Sequence, residues 1–411
     1  MHFKNYFLCL MLLSIFFSFS QENKKSDSIP IVPVQLLKAN YKDFMVINQN
    51  VYAITSGDSL VVFNFKNNQI QMVIPNMKAI AKTSGNAIFY VNCKMQLYIT
   101  TDFKDSKLID SIRGNLPRIL VDKSDNYVVV TSDGIFFKEN FYVPETELQR
   151  RGYLSNRNLK SDLIRYPNLI YLDQKEKIWL TYDNGEFGNN IYFFDLKSKV
   201  FLEPDYLYLM AKNKKAKYFG TDQYKKDLLD SFPDHIKKVK NQLVYKFPNN
   251  LPIYHGVKGI AENKEGDILI SQSLMHFSVQ GCLGLYTASE IKNFYYSDRI
   301  RNVLEYSSKF KENDSLAILQ EYLGPTCYNP FDHSFYYYSD KGFFKILKTK
   351  DVYSKELFFK PLITWTFGMS HSVGYEMNVK KFEFISSNEL IFLTSNNGIG
   401  YFDGKVVKYF K

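Results

Sequence analysis

Four of the chain's eight arginines fall within seventeen residues, at Arg150, Arg151, Arg157 and Arg165, and such a cluster is suited to binding anions. Guanidinium groups bind carboxylate, sulfate or phosphate through charge-assisted and often bidentate hydrogen bonds. The same run also fits a solvated loop whose charges only keep the protein soluble. A second group, Trp365, His371 and Tyr375, sits in a Gly-containing stretch. Its two aromatics offer flat faces for an apolar ligand or a sugar, and its imidazole can donate or accept a hydrogen bond near neutral pH. Alternatively, Trp365 staples the loop to its own domain by burial.

Catalytic patterns are sparse. His235, His255, His276, His333 and His371 are scattered, with no metal-ligand spacing to another His, Cys or carboxylate, so neither a metal site nor a cofactor is expected. Asp133, Asp183 and Asp340 recur at equivalent turns, where they would either converge as the acid and base of a glycosidase or bond their own backbone. Gly398-Ile-Gly400-Tyr-Phe-Asp-Gly404 superficially resembles a dinucleotide loop. The adjoining segment, Lys405 to Phe410, reads as a strand where that motif needs a helix, which makes the loop a hairpin turn.

The elements that must carry these residues are short strands in a repeating pattern. Ile170-Tyr-Leu-Asp173, a polar turn, Ile178-Trp-Leu-Thr181, a second turn with Gly185 and then Ile191-Tyr-Phe-Phe-Asp195 make one unit. Strands ending near Thr55, Val91, Thr131, Thr181, Ser271, Ser339 and Thr394 mark seven such units, several followed by Asp-Gly or Asn-Gly turns. This predicts an all-β fold, a β-propeller of about seven four-stranded blades, with six or eight as alternatives. The region from Arg301 to Lys348 parses as one blade or as parts of two. The first and last units each read as complete within their own segment, which fits ring closure by direct packing, with Ile31 to Leu37 as an alternative extra strand. Uneven spacing places additions in the connections between blades, including an insertion at 205–254 between blades four and five. Its stretch from Asp222 to Lys240, where lysines alternate with aspartates, is expected to be helical.

The units containing Leu120-Val-Asp122, Leu172-Asp173 with Trp179 and Thr181, and Phe384 to Phe402 resemble the propeller repeats of the periplasmic sensor regions of hybrid two-component regulators. The resemblance implies the fold. It does not carry a regulator's function, since no kinase or DNA-binding segment follows the last unit. Ser339-Asp340-Lys341-Gly342 is similar to the Asp-box of sialidase propellers but lacks its Ser-x-Asp-x-Gly spacing and following Trp.

At the amino terminus, one cation, Lys4, precedes an apolar run from Tyr6 to Phe17 and the small residues Ser18 and Ser20, the pattern of a signal peptide at 1–20. An uncleaved anchor is the alternative. Residues 21–42 read as an extension and 43–411 as the propeller domain. Export makes the protein periplasmic, surface-bound or secreted. Cys93, Cys282 and Cys327 leave room for at most one disulfide. Aromatics form 17% of the chain, with 35 Phe and 31 Tyr, which suits stacked sheets. The net charge of +10 favours acidic partners: an acidic glycan, a peptide, a protein, or peripheral contact with an anionic membrane surface. Nucleic acid is not expected in an exported chain without a matching motif. The leading reading is a non-enzymatic propeller that binds such a partner on its loop-rich face. A carbohydrate-active hydrolase or lyase on the same scaffold is the alternative. Oligomeric state is not legible. The mature protein should begin at Gln21, and the intact mass of exported protein tests this; a mass that includes the first twenty residues refutes it.

Overall fold

The computed structural model describes residues 29–143, 149–152, 155–158, 166–183, 185, 189–202, 236–239, 242–245, 256–275, 279–287, 291–296, 321–349, 352–363 and 379–411. Seven antiparallel sheets succeed one another at 41–75, 77–111, 118–142, 169–202, 256–296, 323–359 and 379–410, each with its strands paired in chain order. These are blades 1 to 7, and the strands of each are lettered a to d from the first. The a strands of blades 1 through 7 touch in succession, and strand a of blade 1 also contacts blade 7, so the a strands ring a central axis. Residues 323–359 form a single blade, which resolves the parse of the region after Arg301.

Burial explains the composition. There are seven apolar clusters among the described residues, and each lies between two adjacent blades. Since both faces of a blade are covered, the b strands read as continuous apolar runs such as Val128-Val-Val130 and Leu390-Ile-Phe-Leu393, all fully buried. The recurring hydroxyl at the end of strand b holds the next turn. Thr131 Oγ1 donates to the Gly134 carbonyl at 3.1 Å, and Thr394 Oγ1 donates to the Gly398 carbonyl at 2.7 Å while accepting the Asn397 amide at 2.8 Å. Gly398 is required there, since its φ is +77° and a side chain would strike the Phe410 carbonyl.

The Asp and Trp of the repeat are likewise structural partners. Asp173 accepts the Lys175 and Lys177 amides at 2.9 and 2.8 Å and the Trp179 indole N–H at 2.9 Å, tying the a–b turn to strand b. Asp122 does the same for the Ser124 and Asn126 amides.

Closure uses both ends of the described chain. Ile31–Val34 pairs in parallel with Val407–Phe410 as a fifth strand of blade 7. The Leu36 amide donates to the Lys411 carbonyl at 2.7 Å and the Val407 amide to the Pro30 carbonyl at 2.9 Å. Beneath this clasp, Phe63 and Phe410 pack with ring centroids 4.8 Å apart. Cys93, Cys282 and Cys327 are free thiols.

One expectation needs correction. Where it is described, the stretch read as helical is a strand: Ile236–Val239 pairs with Gln242–Tyr245 in a hairpin, and the rest of Asp222 to Lys240 lies outside the described residues. Ile236, Val239 and Val244 are β-branched and favour strand pairing over a helix. The signal-peptide segment 1–20 also lies outside the described residues.

Because Phe410 is fully buried between blades 7 and 1, Phe410→Ala should cost about 3–5 kcal/mol. Urea denaturation should show one cooperative transition at a lower midpoint. Removing residues 405–411 should abolish the transition altogether.

Candidate functional site

In five of the seven blades, strand a begins with a bulge against strand b. The register shifts fall at Tyr41/Asp43, Met77/Ala79, Val257/Gly259, Leu323/Thr326 and Val379/Lys381. In four of these the residue left without a ladder partner is lysine: Lys42, Lys78, Lys258 and Lys380. A bulge re-aims its extra side chain relative to the pleat. The flanking Tyr41, Met77, Val257 and Val379 therefore stay buried between blades while the lysines reach the opening of the axis. Arg118 opens strand a of blade 3 at the corresponding place without a bulge.

All a strands start on one face. The connections from each strand d to the next strand a share that face with the b–c turns, so the long connections spanning 143–168, 203–255, 297–322 and 360–378 begin and end there. Two recesses meet at this mouth. One, of about 280 Å³, is bordered by Lys42, Asp58, Lys78, Leu116, Arg118 and Tyr166. The other, of about 390 Å³, is bordered by Asp183, Lys258, Lys380, Lys381 and Leu393. Lys42, Asp43 and Arg118 are common to both. Among the described lining residues six cations face three carboxylates, a surplus of three positive charges.

Asp43 organises the centre. Lys381 Nζ lies 2.9 Å from one of its oxygens and donates to the Phe44 carbonyl at 2.6 Å, while Arg118 lies 3.6 Å from the other oxygen. Burial pushes the Asp43 carboxyl upward, yet the two cations and the hydrogen bonds from Lys381 and the Phe44 amide hold it below the usual carboxylate range. Lys258 pairs with Asp183, Lys42 with Asp58. Gly256 admits the first of these pairs, since any side chain there would collide with the Asp183 carboxyl. Lys78 and Lys380 have no counter-ion among the described residues. Deeper along the axis, Lys82 Nζ donates to the Val46 carbonyl at 2.6 Å, and burial raises the Glu383 carboxyl despite nearby Lys381 and Lys82.

The residues singled out from sequence fare differently. Arg150, Arg151 and Arg157 fall in a hairpin, Gln149–Gly152 with Ser155–Asn158, whose register sets Arg150 opposite Arg157. It belongs to the connection between blades 3 and 4, which ends at Tyr166 and Asn168 on the mouth. Arg165, Trp365, His371 and Tyr375 lie outside the described residues, as do His235, His255 and His276. The turn aspartates hold local structure: Asp183 accepts the Gly185 amide at 2.9 Å, Asp340 the Tyr322 amide at 2.9 Å, and Asp133 the Ser132 hydroxyl at 2.8 Å. Among the described residues no three His, Cys, Asp or Glu side chains are grouped to hold a metal ion. Sequence reasoning missed the bulge lysines. Their signal is a lysine directly after the first buried residue of strand a in four units.

A family described as "Protein of unknown function (DUF1655)" matches residues 25–75, the clasp strand and blade 1. No curated protein matches the sequence. Among solved structures, U3-55K is similar at 9% identity and a TM-score of 0.48, covering 88% of this chain and 90% of that one. A structural-genomics protein of unknown function from Bacteroides thetaiotaomicron is similar at 12% identity and a TM-score of 0.38, covering 74% and 68%. The extracellular domain of the one-component system BT4673 from B. thetaiotaomicron is similar at 11% identity and a TM-score of 0.30. That likeness covers 89% of this chain and 45% of the other. The blade count itself rests on strand order and register.

Asp43 and Glu383 should respond to pH with opposite sign. The lowered carboxyl of Asp43 contributes stability that is present above its ordinary value of about 3.9 and is lost as pH falls through its folded value. The raised carboxyl of Glu383 costs stability as pH rises above about 4.3. At neutral pH, Asp43→Asn should therefore destabilise by about 1–2 kcal/mol, a range reduced because Lys381 and Arg118 are part-exposed to screening water. Glu383→Gln should be neutral or stabilising. Urea unfolding measured across acidic and neutral pH checks both signs.

Proposed function

We propose that this protein is an exported, non-enzymatic β-propeller that binds an acidic glycan, peptide or partner protein on the face where its inter-blade connections meet the axial mouth. The observation that carries this reading is the ring of bulge-positioned cations, with two lysines lacking a counter-ion among the described residues. The overall charge of +10 acts in the same direction by steering acidic partners. The Arg150, Arg151 and Arg157 hairpin adds charge to a connection on that face, and peripheral contact with an anionic membrane surface uses the same electrostatics. Export rests on the signal-peptide pattern of residues 1–20. A carbohydrate-active hydrolase or lyase would need free, convergent carboxylates. At this mouth Asp43, Asp58 and Asp183 are each ion-paired, which favours the binder.

Binding to dextran sulfate, a sequence-blind polyanion, tests the proposal. Lys42→Gln, Lys78→Gln and Lys380→Gln combined should weaken it at least tenfold at low ionic strength. Arg150→Gln with Arg157→Gln should do likewise. Added salt should weaken the wild type more than either variant, because the screened charges are those removed. Unchanged affinity in folded variants at low salt refutes the reading.

A further inference from the structure

The two recesses at the mouth are one cleft in chemical terms, because Lys42, Asp43 and Arg118 border both. Its flanks differ from its middle. In the middle, Asp43 is satisfied by Lys381 and Arg118, and Lys42 is taken by Asp58. Lys78 on blade 2 and Lys380 on blade 7 stand on either side of blade 1, both without a counter-ion among the described residues. A half-buried ammonium such as Lys78 gains most from an anion brought to it, since the cost of partial desolvation is already met in the free protein. Two such cations separated by an ion-paired centre select a ligand with separated negative charges. A compact dianion would reach only one of them.

The walls indicate what kind of chain carries those charges. Beside the cations the aliphatic lining that reaches the surface is Leu116 near Lys78 and, on the side of blade 4, part-exposed Leu169. Tyr166 is the one aromatic among the described lining residues. Each a strand is hydrogen-bonded on one side only, to strand b, so its other edge borders the axis with main-chain donors and acceptors. Main-chain groups, aliphatic walls and spaced cations complement a polypeptide with acidic side chains.

We infer that the cleft binds an acidic peptide segment of a partner protein, laid across the mouth with one carboxylate at Lys78 and another at Lys380. This rests on the reading of the mouth as an anion-binding face and names its ligand class. Binding of oligoglutamate and of a charge-matched oligouronate by the full chain, measured calorimetrically at low salt, tests it. Oligoglutamate should bind more tightly than oligouronate. Lys78→Gln and Lys380→Gln should each weaken oligoglutamate about three- to tenfold, with the double variant near the product of the two, as for separated sites. Lys78→Arg and Lys380→Arg, which keep the charge, should retain binding, and circular dichroism should show the wild-type fold in all variants. Tighter binding of oligouronate with the same lysine dependence overturns the peptide assignment but leaves the anion-binding face standing. Dependence on only one lysine overturns the spanning pose. Failure of both polyanions to bind removes the anion-binding face itself.

Discussion

Every blade depends on its two neighbours for burial, and that mutual dependence governs the molecule. No central core exists among the described residues; seven apolar clusters occupy seven inter-blade seams, and a sheet removed from the ring would expose both faces. The seams are not equivalent. Between blades 6 and 7 the packing is densely aromatic, with Phe343, Phe359, Phe392 and Phe402 in mutual contact. Between blades 5 and 6 the described apolar cluster is small. Polar contacts supplement it: the Leu323 amide donates to Ser273 Oγ at 2.7 Å, and buried Glu321 receives hydroxyls from Tyr295 and Ser339 and an ion pair from Lys355.

The seams also explain how a ring of apolar sheets presents charge at its axis. Strand a must supply buried residues to both seams that flank it, which leaves little room for a polar side chain in regular alternation. The bulge adds one residue without disturbing the alternation on either side, and in four blades that residue is lysine. The bulge lysines at the mouth are therefore a local exception at strand starts. Asp43, Lys381 and Arg118 form the fixed part of this arrangement, one carboxylate shared by two cations.

Much of the architecture was legible because its signals are local. The Thr or Ser at the end of strand b, the Asp before the a–b turn and the Gly of the b–c turn each do one backbone task, and each recurs with the blade. Complete first and last units suggested closure by direct packing, with Ile31 to Leu37 as a surplus strand; that surplus strand pairs onto blade 7. Of the turn aspartates, Asp183 caps its own turn, while Asp133 holds the neighbouring Ser132 hydroxyl and Asp340 the amide of Tyr322. The bulge lysines were not: one inserted residue breaks a period of two, and a lone lysine after an apolar residue looks like ordinary surface. The hairpin at Ile236–Val239 was misread because interspersed Lys and Asp suggested a solvated helix, while its β-branched residues carried the decisive preference.

The clasp of Ile31–Val34 on Val407–Phe410 bears on the order in which the molecule forms. It joins segments separated by almost the entire chain, so the last seam is among the highest contact-order events in the fold and carries the greatest loop-closure entropy. Emerging blades can stack from the amino-terminal side during synthesis, but blade 1 keeps one apolar face open until the final strand arrives. That interval is when the chain is most exposed to off-pathway association.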